Sequence, residues 1–344
     1  MTTVWALDAS LEPKWNDYVS RHPHATLFHE LAWRDLLATA FKHHACYLLA
    51  EQQGTVVGVL PLVEVRSLFF GASLVSVPFG VYGGVIADDP AVAARLAEAA
   101  RGLARVRGAA HVELRHLHDP GLNLPSSDLY VTFLADVPST RDGCLERLPR
   151  KARAEVRKAL AHPGVTVDSG SGDVAEFHRL FADNKRKLGS PIFPESLFWR
   201  AMERFGDDCF ILRVRQDGET VASVLSFIHR DTIMPYYSGA TDRAQQISAN
   251  NLMYFALMEE AGRRGLKRFD FGRSRRDTGS YSFKKNQGFE PVPLKYHYLL
   301  DNGAHVPAVN PDNPKYRLAR TLFRGLPMPL AAKLGSFVSK RSPF

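Results

Sequence analysis

Two rhythms of apolar residues alternate along this chain. Between residues 11 and 42 the positions Trp15, Tyr18, Leu31, Trp33, Leu36 and Leu37 suit an apolar stripe on helices, broken by the His22-Pro23-His24 turn. From Cys46 the pattern becomes C-Y-L-L-A-E-Q-Q-G-T-V-V-G-V-L-P-L-V, two apolar runs about a Gln-Gln-Gly turn, which predicts a β-hairpin. At Cys209, 163 residues on, nearly the same text returns as C-F-I-L-R-V-R-Q-D-G-E-T-V-A-S-V-L-S-F-I. Tyr82-Gly83-Gly84 then answers Tyr237-Ser238-Gly239, 155 residues apart, and each is followed by a polar loop and a long helix. The helices lead into G-A-A-H-V-E-L-R (Gly108 to Arg115) and G-L-K-R-F-D-F-G-R (Gly265 to Arg273), 157 residues apart. Three landmarks in register predict one supersecondary unit present twice. Each copy alternates strands and helices, which points to an α/β (α+β) fold with helices packed on mixed sheets.

Between the copies, R-K-A-R-A-E-V-R-K-A (Arg150 to Ala159) predicts a helix with Ala152, Val156 and Ala159 on one side and five cations elsewhere. That face is either simply solvated or builds a positive potential for a phosphorylated acceptor, through Arg150, Lys151, Arg153 and Arg157. His162-Pro163-Gly164 stops it, Val165 to Val167 read as a short strand, and helices follow over 174–188 and 195–205 about a proline-rich connector at 189–194. The expected division is an N-terminal domain over 1–145, connecting helices over 146–205 with the basic helix at 150–161, a C-terminal domain over 206–305 and a tail over 306–344.

Length changes the picture little: 344 residues exceed the roughly 250–300 at which one core stops growing, in keeping with two domains. No stretch reaches the length and apolarity of a membrane span, and M-T-T-V-W-A-L-D lacks a secretory pattern, so a cytoplasmic protein is expected. Cys46, Cys144 and Cys209 are too few and scattered for a disulfide framework or zinc ribbon and read as core residues; no metal is expected. The histidines His22, His24, His29, His43 and His44 match no usual ligand spacing and read as loop or surface residues. A net charge of +8 favours anionic partners.

Three motifs carry a family resemblance over nearly the whole chain. R-x-x-V-R-K-A at Arg153 to Ala159 with Gly164-Val165, the strand end Phe269-Asp270-Phe271-Gly272, and F-K-x-x-x-G-F at Phe283 to Phe289 are similar to motifs of the FemAB family of acyltransferases. Within it the chain most resembles the FemAB-like proteins of PEP-CTERM/exosortase exopolysaccharide systems. The resemblance implies tandem duplicated GNAT-like domains and transfer of an acyl or aminoacyl group onto an amine or hydroxyl of a cell-envelope or exopolysaccharide precursor. The implied donor is acyl-CoA or aminoacyl-tRNA, with no covalently bound cofactor and no DNA partner. Two departures stand out: the long helical arm of some bridge-forming members has no counterpart, and D-R-A-Q-Q-I-S-A-N (Asp242 to Asn250) replaces the usual phosphate loop. A non-catalytic assembly factor on the same fold is the third reading.

Lacking G-x-S-x-G or a Cys/His pairing, the chain points to direct attack by the acceptor rather than a covalent acyl-enzyme. The resemblance makes Lys284 the positive group near the developing oxyanion or donor phosphate, in a setting that Phe283 and Phe289 would partly bury. Asp270 is either a base or orienter of the nucleophile or a cap on the following loop. Tyr237 and Tyr281 either hydrogen-bond substrate or pack. Arg243, Arg273 and Arg275 could hold donor or acceptor phosphates, and Asn251 lies in the first turn of a helix whose N-cap is read as Ser248, an anion-binding end. The tail sets Leu318, Leu322, Phe323, Leu330, Leu334 and Phe337 against Arg317, Arg320, Arg324, Lys340 and Arg341. Such a pair of helices over 315–341 either rests on an anionic membrane surface or docks on the protein's own body.

Overall fold

The computed structural model describes residues 1–67, 71–300, 306 and 314–341, with the side chains of 314–319 outside that description. In chain order the elements are β1 (Thr2–Ala6), α1 (Glu12–Arg21), α2 (Leu31–Phe41), β2 (His44–Ala45), β3 (Leu48–Gln52), β4 (Thr55–Leu60), β5 (Val63–Ser67), β6 (Gly71–Ser76), β7 (Ile86–Ala87), α3 (Pro90–Arg107), β8 (Ala109–His116), β9 (Ser126–Ser127) and β10 (Tyr130–Asp136). There follow α4 (Arg141–Arg147), α5 (Arg150–Leu160), β11 (Val165–Gly170), α6 (Val174–Leu188), α7 (Glu195–Phe205), β12 (Cys209–Gln216), β13 (Glu219–His229) and β14 (Thr232–Ala240). The remainder is α8 (Asp242–Gln246), α9 (Ala249–Arg263), β15 (Arg268–Asp270), β16 (Ser274–Arg275), α10 (Gly279–Asn286), β17 (Glu290–Pro293), β18 (Lys295–Leu300), α11 (Pro314–Gly325) and α12 (Met328–Ser339).

The chain divides into two units. The first holds Met1–Tyr130, Pro293–Asn310 and Phe337–Phe344, the second Val131–Val292 and Pro311–Ser336. The units therefore interleave in sequence, unlike the contiguous spans expected: β18 completes the first unit's sheet by pairing with β8, and β10 lies within the second unit's sheet. Neither strand advertises its partner, because sheet pairing over more than a hundred residues leaves no local pattern. The first unit has a sheet in the order β1-β3-β4-β7 and another in the order β2-β5-β6-β8-β18-β9. The second has one sheet, β11-β12-β13-β14-β15-β10-β16, with β17 beside β10. Its long hairpin β12–β13 is the predicted one, and α6 and α7 fall where the sequence placed them.

In the second unit α9 is buried on almost every side, through Ala249, Leu252, Met253, Phe255, Leu257, Met258 and Ala261, because it lies between the sheet and α5. The apolar face of α5, Ala152, Val156 and Ala159, packs into the same core and leaves Arg150, Lys151, Arg157 and Lys158 exposed. All three cysteines are buried. His22 and His29, read from the sequence as loop or surface groups, are also buried. Among the described residues no helix is long and apolar enough to cross a membrane.

Candidate active site

The site begins where two parallel strands part. β14 pairs with β15 only at Thr232 with Arg268 and Ile233 with Phe269, then runs on to Ala240 beside β13, while β15 ends at Asp270. The main-chain groups of β14 beyond Ile233 thus face a wedge instead of a neighbouring strand, a place where a ligand's amides can pair with the sheet. Gly239 lies on this stretch. A Cβ there would stand 2.5 Å from the backbone of Leu180 and Phe181, so α6 presses directly on β14 and backs the wedge.

At the end of β15 the chain turns sharply through Gly272, whose φ of +74° suits glycine. The Asp270 carboxylate fixes this turn: its Oδ1 accepts from Gly272 N at 2.9 Å and from the Thr132 hydroxyl of β10 at 3.1 Å. Of the two roles open to Asp270, the structure shows the capping one. Lys284 on α10 then donates from Nζ to the carbonyls of Gly272 at 2.8 Å and Arg273 at 3.2 Å. The ammonium also sits 5.3 Å and 5.7 Å from the ring centroids of Phe271 and Phe133. Burial pulls its pKa down to about 8, with Asp270 opposing the shift and Arg273 adding to it. A lysine in this range changes charge close to neutral pH, a property suited to proton-coupled chemistry.

The opposite wall comes from α9. Tyr254 hydrogen-bonds the side chain of Ser238 on β14, and its ring lies 4.5 Å from that of Phe271 and 5.7 Å from that of Phe283. One residue thereby touches β14 and the turn that follows β15. Burial raises the Tyr254 pKa while the bond to Ser238 opposes the rise, so the phenol stays neutral and able to donate.

Of the residues singled out from the sequence, Asp270, Arg273, Tyr281, Phe283 and Lys284 come together here. The Tyr281 ring packs 5.5 Å from Phe133, and Phe283 lies 6.2 Å from Phe271. Arg275 stands on β16 next to this turn, its carbonyl accepting from the Thr278 hydroxyl that caps α10. Others lie apart. Tyr237 is buried against Phe181, Phe193 and Phe198 at 5.3–5.8 Å, the packing reading of the two. Arg243 on α8 is paired with Asp217 at 2.8 Å. On α5, Arg153 donates to the carbonyls of Glu146 and Leu148, which ties down the end of α4 instead of offering a phosphate site.

The N-terminus of α9, expected to hold an anion, has one already. Ser248 occupies the N-cap position but makes no side-chain cap; its hydroxyl donates to the carboxylate of Glu155 from α5. Asn251 lies in the first turn, half-buried, with its backbone N–H on the Ser248 carbonyl. A carboxylate beside the positive end of a fifteen-residue helix is favourable in itself and opposes a second anion there. Thr132, Ser238, Tyr254 and Glu155 escaped the sequence reading. Each acts across elements distant in sequence; Ser248 reads in the sequence as a local N-cap, whereas its partner lies 93 residues upstream.

A second concavity belongs to the first unit. Beside the parallel pair β6–β8, a cavity of about 320 Å³ is lined by His22, His24, His29, His116 and His118 around Gly84. His29 Nδ1 accepts from Thr26 N, so its Nε2 donates to the Gly84 carbonyl; burial holds the His116 pKa at about 3, hence a neutral ring. Elsewhere in this unit His44, Cys46 and Glu64 bring one donor atom each within 4.8 Å of one another, with Glu64 ion-paired to Arg66 and Arg107.

Residues 147–285 match the family described as the acetyltransferase (GNAT) domain. Among solved structures the chain is similar to FemX, at 14% identity over 92% of this chain and 100% of that one, with a TM-score of 0.64. It is also similar to the tandem GNAT protein from the clavulanic acid biosynthesis pathway, at 12% identity over 89% and 100% with a TM-score of 0.56. L-PGS from Bacillus licheniformis matches at 15% identity over 92% and 97%, with a TM-score of 0.55. No curated protein matches. These likenesses show the fold, a tandem GNAT arrangement of mixed sheets flanked by helices, as expected from the internal duplication.

Proposed function

We propose that the second unit transfers an acyl group from a thioester donor, acyl-CoA, to an amine or hydroxyl of a cell-envelope precursor by direct attack. The observation that carries this reading is the parting of β14 and β15 within the segment that matches an acetyltransferase domain, with Tyr254, Lys284 and the Asp270-stabilised turn gathered at the opening. The donor's amide-bearing arm pairs with β14 along the wedge. The acceptor's nucleophile attacks the thioester carbonyl, forming the new C–N or C–O bond; the C–S bond then breaks, and the proton lost by the nucleophile balances the departing thiolate, which leaves as free thiol. Tyr254 and the Lys284 ammonium are the donors nearest to where negative charge develops, on the carbonyl oxygen and then on the leaving sulfur.

The acceptor class rests on the likeness to FemX and L-PGS together with the FemAB-like motifs. A second reading, an aminoacyl-tRNA donor, draws on Glu155: its carboxylate at the head of α9 opposes a pyrophosphate at that point. Titrating the purified protein with acetyl-CoA and with aminoacyl-tRNA, each at low and high salt, separates the two. Saturable acetyl-CoA binding with release of free thiol on adding acceptor supports the first reading. Tight, steeply salt-dependent tRNA binding without acetyl-CoA binding supports the second.

A further inference from the structure

The C-terminal helices dock on the second unit with one face and leave the other uncovered. Ala331 is fully buried, and a Cβ on Gly335 would stand 2.4 Å from Ile192 N, so α12 lies directly on the connector before α7. Arg186 donates to the Arg324 carbonyl at 3.2 Å and Arg320 to the Leu188 carbonyl at 3.3 Å, which ties α11 to α6. The hairpin is therefore a fixed part of the body, as one of the two sequence readings expected.

Its outer face is apolar. Leu330, Leu334 and Phe337 follow at i, i+4 and i+7 along α12 and are 56%, 45% and 46% exposed; Leu322 on α11 is 64% exposed. Four of the twelve large apolar side chains exposed among the described residues thus fall in these two short helices. Solitary exposed leucines need no explanation, but a stripe at helical spacing does. The segment's own charge is of one sign: residues 315–344 contain seven lysines and arginines and no aspartate or glutamate. Arg320, Arg324, Lys333 and Lys340 among them are exposed.

We infer that this face lies on an anionic lipid surface, with Leu322, Leu330, Leu334 and Phe337 entering the headgroup boundary and Arg324, Lys333 and Lys340 meeting lipid phosphates. A purely apolar partner groove would not call for seven cations without one acid, and a second copy would bring like charges together. The inference stands independently of the acyl-transfer reading, since it concerns the tail alone.

Sedimentation of the full chain with vesicles tests it. Vesicles of phosphatidylcholine containing phosphatidylglycerol are expected to pull the protein down, pure phosphatidylcholine vesicles to leave it in solution, and raised salt to weaken binding. Leu330→Glu with Leu334→Glu should abolish sedimentation without changing the melting temperature, because both side chains are exposed. Lys333→Glu with Lys340→Glu should weaken it on the order of tenfold or more. Failure to sediment with anionic vesicles overturns the inference, as does binding unchanged in both variants. A wild-type dimer that the Leu330→Glu, Leu334→Glu change dissociates, without vesicle binding, also overturns it and makes the face a self-association surface.

Discussion

Replacing Lys284 by methionine probes the group around which the candidate site is built. The unfolded chain titrates this ammonium near 10.5 and the folded protein near 8. Because the folded value is the lower, the unfolded state binds more protons between these limits. Stability contributed by this residue is therefore lowest below pH 8 and rises as the pH climbs to 10.5. A gap of that size amounts to about 3 kcal/mol, of which about 2 kcal/mol falls between pH 7 and pH 9.5. Methionine keeps the stem against Phe133 and Phe271 but cannot titrate. Urea unfolding of wild type and variant at these two pH values gives the difference directly, since groups common to both proteins cancel. The wild type should gain about 2 kcal/mol on the variant as pH rises. A difference in stability that does not change with pH would refute the desolvated cation. If transfer needs the charged form, wild-type turnover falls as pH passes 8, while the variant is slow throughout.

Two further substitutions separate roles that the structure draws close together. Asp270→Asn retains an oxygen acceptor for Gly272 N and Thr132, so folding should be preserved; persistent transfer agrees with the capping role, whereas transfer lost with an unchanged melting temperature makes Asp270 the base. Asp270→Ala removes the acceptor of Gly272 N and should cost about 1–3 kcal/mol in unfolding experiments. Glu155→Gln removes the carboxylate at the head of α9 and should tighten acetyl-CoA binding by about 2–5-fold in calorimetry, the worth of one charge at a helix end. Unaltered affinity would place the donor's phosphates elsewhere.

Much of the second unit was legible because its signals are local. The hairpin about Asp217-Gly218, the helices 174–188 and 195–205, and the motif pairing Asp270 with Lys284 all depend on neighbours in sequence or on short periodicities. The packing of Tyr237 was not legible because strand alternation says that two successive tyrosines face opposite ways without saying which way is the wedge. Ser238, one position on, is the residue that meets Tyr254. Arg153 looked like its exposed neighbours Arg150 and Lys151, yet helical rotation turns it back onto the carbonyls ending α4. The interleaving of the units depends on β10 and β18, strands whose partners no local pattern names. Of the tail, residues 307–313 and the side chains of Arg317 and Leu318 lie outside the described residues.

The central claim is that a thioester donor lies in the wedge between β14 and β15. Hydrogen–deuterium exchange of the full chain with and without acetyl-CoA tests it without requiring the acceptor to be known. The account predicts slower exchange over residues 234–240 and 270–284, with little change around the histidine-lined cavity of the first unit. Slower exchange confined to that cavity, or none anywhere at saturating acetyl-CoA, would contradict it.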